Sequence, residues 1–160
     1  MMELKPETLR KIEEVIPKYP QKRSAALPLL HLVQEDQGYI SKEAIEWIAR
    51  KLELEPINIY ELVTFYPMLH QKKVGKKHIK VCRTLSCALK GSHEVCQKLQ
   101  TALHCPLNET TTDGNITIEF VECLADCWKA PVVQVNETLY EEVTPEKAMA
   151  LAEQIKAELR

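Results

Sequence analysis

The chain has 160 residues, a formal net charge of -2 at pH 7 and 45% hydrophobic residues, enough for one medium core or two small ones. Its acidic and basic residues are interspersed, without the basic field that a phosphate backbone selects, so we expect no nucleic-acid partner. The amino terminus is charged, and the most apolar stretch, 25–33, is short and contains Pro28. We therefore expect neither an export signal nor direct insertion into a membrane.

Helical spacing of apolar residues dominates the first seventy residues. Apolar residues recur at three- and four-residue steps after Pro6, which predicts a first helix. A second helix is predicted from near Pro28 to Gly38, where glycine ends the run. Ser41 is placed to cap a third helix, and Pro56 opens a short fourth one. This pattern predicts an N-terminal helical bundle.

The pattern changes beyond a basic, glycine-containing linker at 71–77, where alternating strands and helices replace the helical period. The predicted elements are, in order, a strand at 78–82, a helix capped by Ser92, a strand at 116–121, a hairpin of strands at 132–135 and 139–143, and a helix from Thr144 and Pro145. A βαβ crossover followed by a hairpin and a covering helix is the connectivity of a thioredoxin-like sandwich.

The predicted fold class is therefore α+β, with an N-terminal helical bundle followed by a thioredoxin-like α/β domain. We assign residues 1–73 to the N-terminal helical domain and residues 74–160 to the second domain, because the hydrophobic period changes between them.

Two cysteine pairs follow two of the predicted strands. Cys82 and Cys87 come at the end of the first strand, and Cys123 and Cys127 follow the second. Because parallel neighbouring strands put their carboxyl ends at one edge of the sheet, the two pairs can meet in space. Four converging thiolates repel one another unless a cation neutralises them. The candidates are an iron-sulfur cluster, zinc or two disulfides.

The cysteine spacing favours an iron-sulfur cluster among these candidates. Since we expect no export signal, we expect a reducing compartment, which disfavours disulfides. Thioredoxin-type dithiol chemistry uses C-x2-C spacing, and none occurs here. Short C-x2-C knuckles are also the commoner zinc pattern, whereas wider, unequal spacing leaves room for a broader 2Fe-2S centre. A structural zinc module that serves only protein interaction stays open on spacing alone.

Three cysteine-bearing or adjacent stretches carry a family resemblance: Val81–Cys87, Glu122–Cys127 and Ala130–Asn136. They resemble the 24 kDa subunit family of NADH:quinone oxidoreductase, the thioredoxin-like 2Fe-2S ferredoxins. The likeness extends over nearly the whole chain, since that family also begins with a helical bundle and has an aromatic pair near the junction, matched by Phe65 and Tyr66.

One departure from the family pattern is visible in the second cysteine pair. The family usually reads Cys-Leu-Gly-Ala-Cys there, whereas this chain has Ala125 and Asp126 at the third and fourth places. Both cysteines are kept. Alanine gives up backbone freedom, and Asp126 adds a negative charge that we expect to lower the reduction potential of an anionic centre.

The resemblance implies one 2Fe-2S cluster held by four cysteines. Cys96, on the apolar stripe of a predicted helix, and Cys105, in a loop before Pro106, are not expected to be ligands. The implied ligands are Cys82, Cys87, Cys123 and Cys127. The implied function is one-electron transfer within the NADH-oxidising module of respiratory complex I, as one part of an oxidoreductase. We expect no catalytic acid or base in this chain.

The resemblance also implies a partner, a flavin- and NADH-binding subunit of the 51 kDa type. The chain has four glycines, none in a G-x-G-x-x-G or P-loop arrangement, so FMN and NADH are expected on that partner. The expected location is cytoplasmic, peripheral to the inner membrane through the complex. Related subunits also serve NAD-linked formate dehydrogenases and hydrogenases, and an equivalent diaphorase subunit is the alternative function.

Overall fold

The computed structural model describes residues 3–159. The chain divides between Lys73 and Val74 into two units with separate hydrophobic cores. Among residues 3–159, all regular elements before the division are helices, and all five strands of the sheet come after it. No helix within residues 3–159 combines the length and apolar character needed to cross a bilayer.

Four α-helices form the first unit. They are α1 (Pro6–Val15), α2 (Ala26–Gln37), α3 (Lys42–Leu52) and α4 (Pro56–Phe65). Pro6 and Pro56 occupy the first turns of α1 and α4, where a missing N–H leaves no hydrogen bond unmade. Gly38 ends α2 with a left-handed φ of 83°. The Ala44 N–H donates to Ser41 Oγ at 3.1 Å, so the predicted cap of α3 is confirmed.

The apolar faces of all four helices meet in one core. Its largest fully buried side chains are Ile12, Leu29, Leu30, Ile40, Ile48, Leu52, Ile59 and Val33. Burying side chains of this size stabilises a fold by about 1.5–3 kcal/mol each before the entropy cost of ordering them. The helix α2 begins at Ala26, slightly before the predicted start near Pro28, because proline is tolerated anywhere in a first helical turn.

The second unit contains a five-stranded sheet and three helices. The elements are β1 (Lys77–Cys82), α5 (Leu85–Leu89), α6 (Ser92–Leu103), β2 (Glu109–Thr110), β3 (Ile116–Val121), β4 (Val133–Val135), β5 (Thr138–Tyr140) and α7 (Pro145–Glu158). The strand order is β2-β3-β1-β4-β5. Strands β1 and β3 are parallel and the other neighbours are antiparallel, as the predicted crossover and hairpin require.

Helices α6 and α7 share one core with the strands. Fully buried members include Ile79, Val81, Val95, Leu99, Ile118, Val133, Ala148 and Ile155. Gly75 lies where the chain enters β1, and a Cβ built on it would stand 2.6 Å from the backbone nitrogen of Ile116. Only glycine therefore allows β1 to begin this close to β3.

Three local features differ from the sequence-based prediction. The five-residue α5 and two-residue β2 are too short to give a periodic signal. The predicted capping role of Ser92 is wrong, since Ser92 is already helical, Gly91 precedes it with φ 93°, and Ser92 Oγ has no hydrogen-bond partner among residues 3–159. Strand β5 ends before Val143 because Glu142 adopts a left-handed φ of 48°.

Candidate metal centre

Strands β1 and β3 deliver the two cysteine pairs to one edge of the sheet. Cys82 is the last residue of β1 and lies opposite Val121, the last residue of β3. Cys87 is in the short helix α5, and Cys123 follows β3 by two residues. Cys127 begins a 3-10 turn that contacts α5. The parallel pairing predicted from the sequence is confirmed, and it places both pairs at the carboxyl ends of their strands.

One pair is buried and the other is exposed. Cys82 and Cys87 pack with Ala130, Val132 and Leu124 in a small apolar cluster below the surface. Cys123 and Cys127 are both exposed, and their Sγ atoms lie 3.4 Å apart. A group held between the two pairs would therefore be shielded from water on one side and open to solvent on the other.

Backbone N–H groups act on three of the four cysteine sulfurs. The Ala125 N–H donates to Cys123 Sγ at 3.3 Å, and Ala125 adopts a left-handed φ of 64° in doing so. The N–H of Leu124 acts on Cys82 and the N–H of Val132 acts on Cys87. Donors arranged in this way stabilise negative charge on sulfur.

An ion pair and a backbone bond hold the two cysteine loops together. Arg83, just after Cys82, donates from Nε to Glu122 Oε1 at 3.0 Å, and Glu122 immediately precedes Cys123. The Arg83 N–H also donates to the Val121 carbonyl at 3.0 Å, which extends the β1–β3 ladder beyond the cysteine. The ion pair is exposed and is worth less than about 1 kcal/mol, so its contribution is orientation of the loops.

The buried pair holds its protons unequally. Burial raises the pKa of Cys82, but hydrogen bonds from the Thr84 side chain and from the backbone of Thr84 and Leu124 outweigh burial and leave this pKa below its ordinary value. Burial, followed by the hydrogen bond to Cys82, raises the pKa of Cys87 to about 11. Cys82 thus carries the more acidic thiol of the buried pair.

The exposed pair repeats the asymmetry. The Ala125 N–H, followed by the hydrogen bond from Cys127, lowers the pKa of Cys123. The same hydrogen bond to Cys123 raises the pKa of Cys127, and the negative charges around it raise it further. In each pair one thiol is therefore more acidic than the other, and a bound cation would favour loss of the remaining proton.

This donor set suits a 2Fe-2S cluster. Such a cluster takes four cysteine thiolates, and the two pairs supply them from two loops at one sheet edge, where the Ala125 N–H donates to Cys123 Sγ. Among residues 3–159, no group of three or more His, Cys, Asp or Glu side chains is arranged to hold a metal ion. The arrangement that the structure does show is pairwise, with the Cys123 and Cys127 sulfurs close together.

Cys96 and Cys105 lie elsewhere, in the core between the sheet and its helices. Both are buried, and burial raises the pKa of each thiol, to about 11 for Cys96. The thiol of Cys105 donates to backbone carbonyls, including that of Glu109 at 3.3 Å. A thiol in such surroundings behaves as a small apolar side chain.

Thr84 is a site residue that the sequence analysis did not single out. Its hydroxyl lies 3.2 Å from Cys82 Sγ, and its side chain also lowers the pKa of Cys123 after the larger effects of Ala125 and Cys127. The sequence does place a hydroxyl residue between two cysteines at the end of a strand. Cysteine spacing alone, however, does not predict the direction of the hydroxyl.

Three large, exposed apolar side chains lie within two residues of Cys87 or Cys127 in the sequence. Leu85 and Leu89 on α5 are 74% and 79% exposed, and Trp128, next to Cys127, is 85% exposed. Leu85 and Leu89 lie about one helical turn apart on α5, and Trp128 lies on the adjoining 3-10 turn. We call Leu85, Leu89 and Trp128 the apolar rim.

The fold and the site together define a small α/β protein whose cysteine-rich sheet edge suits a one-electron cofactor. A family model described as thioredoxin-like 2Fe-2S ferredoxin matches residues 12–156, and this chain belongs to that family. The resemblance inferred from the sequence is confirmed, together with the predicted fold class and, at the level of the family, the 2Fe-2S cofactor.

Individual relatives show how far the similarity extends. A subunit of the NADH-quinone oxidoreductase of Rickettsia felis is 44% identical over 145 residues, which cover 89% of this chain and 87% of that protein. The mitochondrial NADH dehydrogenase (ubiquinone) flavoprotein 2 of Dictyostelium discoideum is 37% identical over 153 residues, which cover 94% of this chain and 62% of that protein.

A solved structure shares the fold. A chain of an NAD+-reducing NiFe hydrogenase in the H2-reduced state has a TM-score of 0.68 and 21% identity, over 83% of this chain. The matched region is 22% of the hydrogenase chain, so this protein spans about a fifth of it. At this identity the likeness shows the fold.

Proposed function

We propose that this chain is the electron-transfer subunit of the NADH-oxidising module of NADH:quinone oxidoreductase, with a 2Fe-2S cluster on Cys82, Cys87, Cys123 and Cys127. The observation that carries the proposal is the placement of two cysteine pairs at one sheet edge, in a member of a 2Fe-2S ferredoxin family. Relatives named as subunits of that oxidoreductase match over most of both chains, which supports this complex in particular.

Each part of the site has a separate task in this function. The bound cluster accepts and gives up one electron at a time. The apolar cluster of Leu124, Ala130 and Val132 keeps water from the Cys82 and Cys87 side. The N–H groups aimed at the sulfurs offset negative charge. The exposed Cys123 and Cys127 bring the opposite side to the surface, where an electron can pass to or from another protein.

We propose that the redox partner is the flavin- and NADH-binding subunit of the 51 kDa type, which exchanges one electron with this chain. The apolar rim supports a protein contact here, because exposed Trp and Leu side chains around a functional edge are typical of interfaces. In this arrangement the chain is cytoplasmic and peripheral to the inner membrane through the complex.

The partner contact can be tested by replacing both Leu85 and Leu89 with serine. We expect the double variant to keep its visible spectrum and to bind the purified flavin subunit at least tenfold more weakly, as measured by calorimetry. A matched control is Leu139 changed to serine, because Leu139 is 40% exposed on β5, away from the cysteine edge. Equal loss of binding in both variants would argue against a rim-specific contact.

The cofactor proposal is tested on the purified chain. Optical and electron paramagnetic resonance spectra are recorded anaerobically before and after dithionite, with iron, sulfide and zinc measured on the same sample. We expect a visible band that bleaches, a paramagnetic signal that appears on reduction, and equal amounts of iron and sulfide. A colourless protein with stoichiometric zinc would instead identify a structural zinc module.

The ligand assignment is tested by single cysteine-to-alanine changes. We expect each of Cys82, Cys87, Cys123 and Cys127 to be required for a stable cluster with the native spectrum. Cys96 and Cys105 provide matched controls because they lie in the separate core, and their alanine variants should retain the cluster while losing some stability. Loss of the cluster on replacing Cys105 alone, in a protein that still folds, would overturn the assignment.

A further inference from the structure

We infer that the Thr84 hydroxyl donates a hydrogen bond to the Cys82 sulfur and thereby raises the reduction potential of the centre. Thr84 is a positioning residue, since it acts through Cys82. The inference rests on the proposed function, because it concerns a cluster bound by Cys82. It adds a determinant of the potential that the cysteine pattern alone does not reveal.

The position of Thr84 in the chain makes its hydroxyl available. Thr84 directly precedes α5, in the N-cap position, with the extended backbone typical of a cap (φ -77°, ψ 167°). A threonine there normally accepts a hydrogen bond from an N–H of the first helical turn. The Thr84 side chain makes no such bond. Its hydroxyl lies instead 3.2 Å from Cys82 Sγ, so the capping interaction is replaced by one with sulfur.

The direction of this hydrogen bond follows from the chemistry of the ligand. Between a hydroxyl and a free thiol either atom can donate. Once Cys82 is a thiolate bound to iron it has no proton, and only the Thr84 hydroxyl can donate. The half-buried setting of Thr84 and the full burial of Cys82 favour this bond, since bulk water competes weakly for the sulfur there.

A donor to a ligand sulfur affects the two oxidation states differently. Reduction adds negative charge to the centre and part of that charge resides on the sulfurs, so a hydrogen bond to sulfur stabilises the reduced form more than the oxidised form.

The experiment compares Thr84→Val, which keeps the shape and removes the hydroxyl, with Thr84→Ser, which keeps the hydroxyl. The readout is the midpoint potential of the purified, cluster-loaded chain in an anaerobic titration followed by electron paramagnetic resonance. We expect Thr84→Val to lower the equilibrium constant for reduction about tenfold, or about 59 mV for a one-electron couple. Thr84→Ser should remain close to the unaltered protein.

Thr101→Val is the matched control. Thr101 lies on α6, and its hydroxyl donates to the Gln97 carbonyl of the same helix, so the same chemical change is made away from the cysteines. The midpoint potential of the Thr101→Val variant should equal that of the unaltered protein. An unchanged potential in Thr84→Val, with the cluster loaded, would overturn the inference while leaving the proposed function intact. Absence of a 2Fe-2S spectrum in the unaltered chain would defeat the proposed function before any variant is compared.

Thr84→Ala decides the case in which the valine variant fails to load a cluster. If the alanine variant loads, a lowered potential supports the inference and an unchanged potential overturns it. If neither apolar variant loads but Thr84→Ser does, the hydroxyl serves assembly of the site rather than its potential, which overturns the inference. Failure of Thr84→Ser to load would contradict it, because the donor is then present without effect.

Discussion

At the scale of single residues, Asp126 places a carboxylate between Ala125 and the proposed ligand Cys127. Its Oδ2 atom is buried and has no hydrogen-bond partner among residues 3–159. Asp126 is also among the groups whose charge raises the pKa of Cys127, after the larger effects of Cys123, burial and Cys82. A negative charge in this position disfavours the addition of an electron to an anionic centre.

We therefore predict that Asp126→Asn raises the reduction potential. A change of about 1 kcal/mol, the scale of a charge interaction with access to water, corresponds to about 40 mV for a one-electron couple. Glu137→Gln is the control, because Glu137 lies in the turn between β4 and β5, at the opposite end of β1 from Cys82. The measurement is a redox titration followed by electron paramagnetic resonance; equal shifts in both variants would show a general charge effect.

The sequence reveals the sulfurs of this site more readily than the groups around them. Cysteines at two strand ends are visible as a pattern, and the parallel pairing that unites them follows from the predicted crossover. The roles of Thr84 and Ala125 depend on side-chain direction and on a left-handed backbone in a loop. Neither has a periodic signal, so spacing cannot predict them.

At the scale of elements, a buried carboxylate on α2 links that helix to the start of α1. The Lys5 N–H donates to Asp36 Oδ2 at 2.9 Å, and the Asp36 side chain is 1% exposed. Burial raises the pKa of Asp36, but hydrogen bonds and charge from Lys5 outweigh it and leave the pKa below its ordinary value. The ionised form is therefore the one that the fold stabilises.

We predict that Asp36→Ala lowers the free energy of unfolding by about 2 kcal/mol at pH 7, as expected for a lost hydrogen bond to a charged group. Because the folded pKa is depressed, the charge-linked part of this stability is present above the unfolded value of about 3.9 and disappears as the pH falls through the folded pKa. Urea denaturation of the cluster-free chain at several pH values measures both quantities.

The exposed neighbour Glu35 supplies the control for Asp36. Glu35→Ala, on the same helix, should change the stability by less than about 0.5 kcal/mol. Asp36→Asn should fall between the two variants, because an amide oxygen can still accept from Lys5 but carries no charge. A gap between the unaltered chain and Asp36→Ala that stays constant into acid would show that packing, not charge, supplies the stability.

Helices and strands were predicted correctly where their sequences show a regular hydrophobic period. The ends of elements were predicted wrongly where a single backbone angle sets the end. The apolar stripes of α6 and α7 and the alternation of polar and apolar residues in the sequence of β1 identify those elements. The positive φ of Gly91 shifts the cap of α6 away from Ser92, and the positive φ of Glu142 shortens β5. Such angles are set by the surrounding chain, which local sequence describes poorly.

At the scale of the whole molecule, the proposed redox site lies in only one of the two units. All four proposed ligands and the N–H groups that face them belong to the unit that begins at Val74. That unit has its own core between the sheet and its helices, and the helical unit before it has another. We propose that the second unit is the 2Fe-2S domain and that the first is a separate helical domain.

We accordingly predict that a fragment of residues 74–160 folds and binds the cluster without the helical unit. The sheet is covered by α6 and α7, and every member of the core between them belongs to this unit. The fragment should show the visible and paramagnetic spectra of the full chain, while residues 1–73 should be helical by circular dichroism and bind no iron. A soluble, folded fragment that cannot be loaded, although the full chain can, would mean that the helical unit contributes to the site.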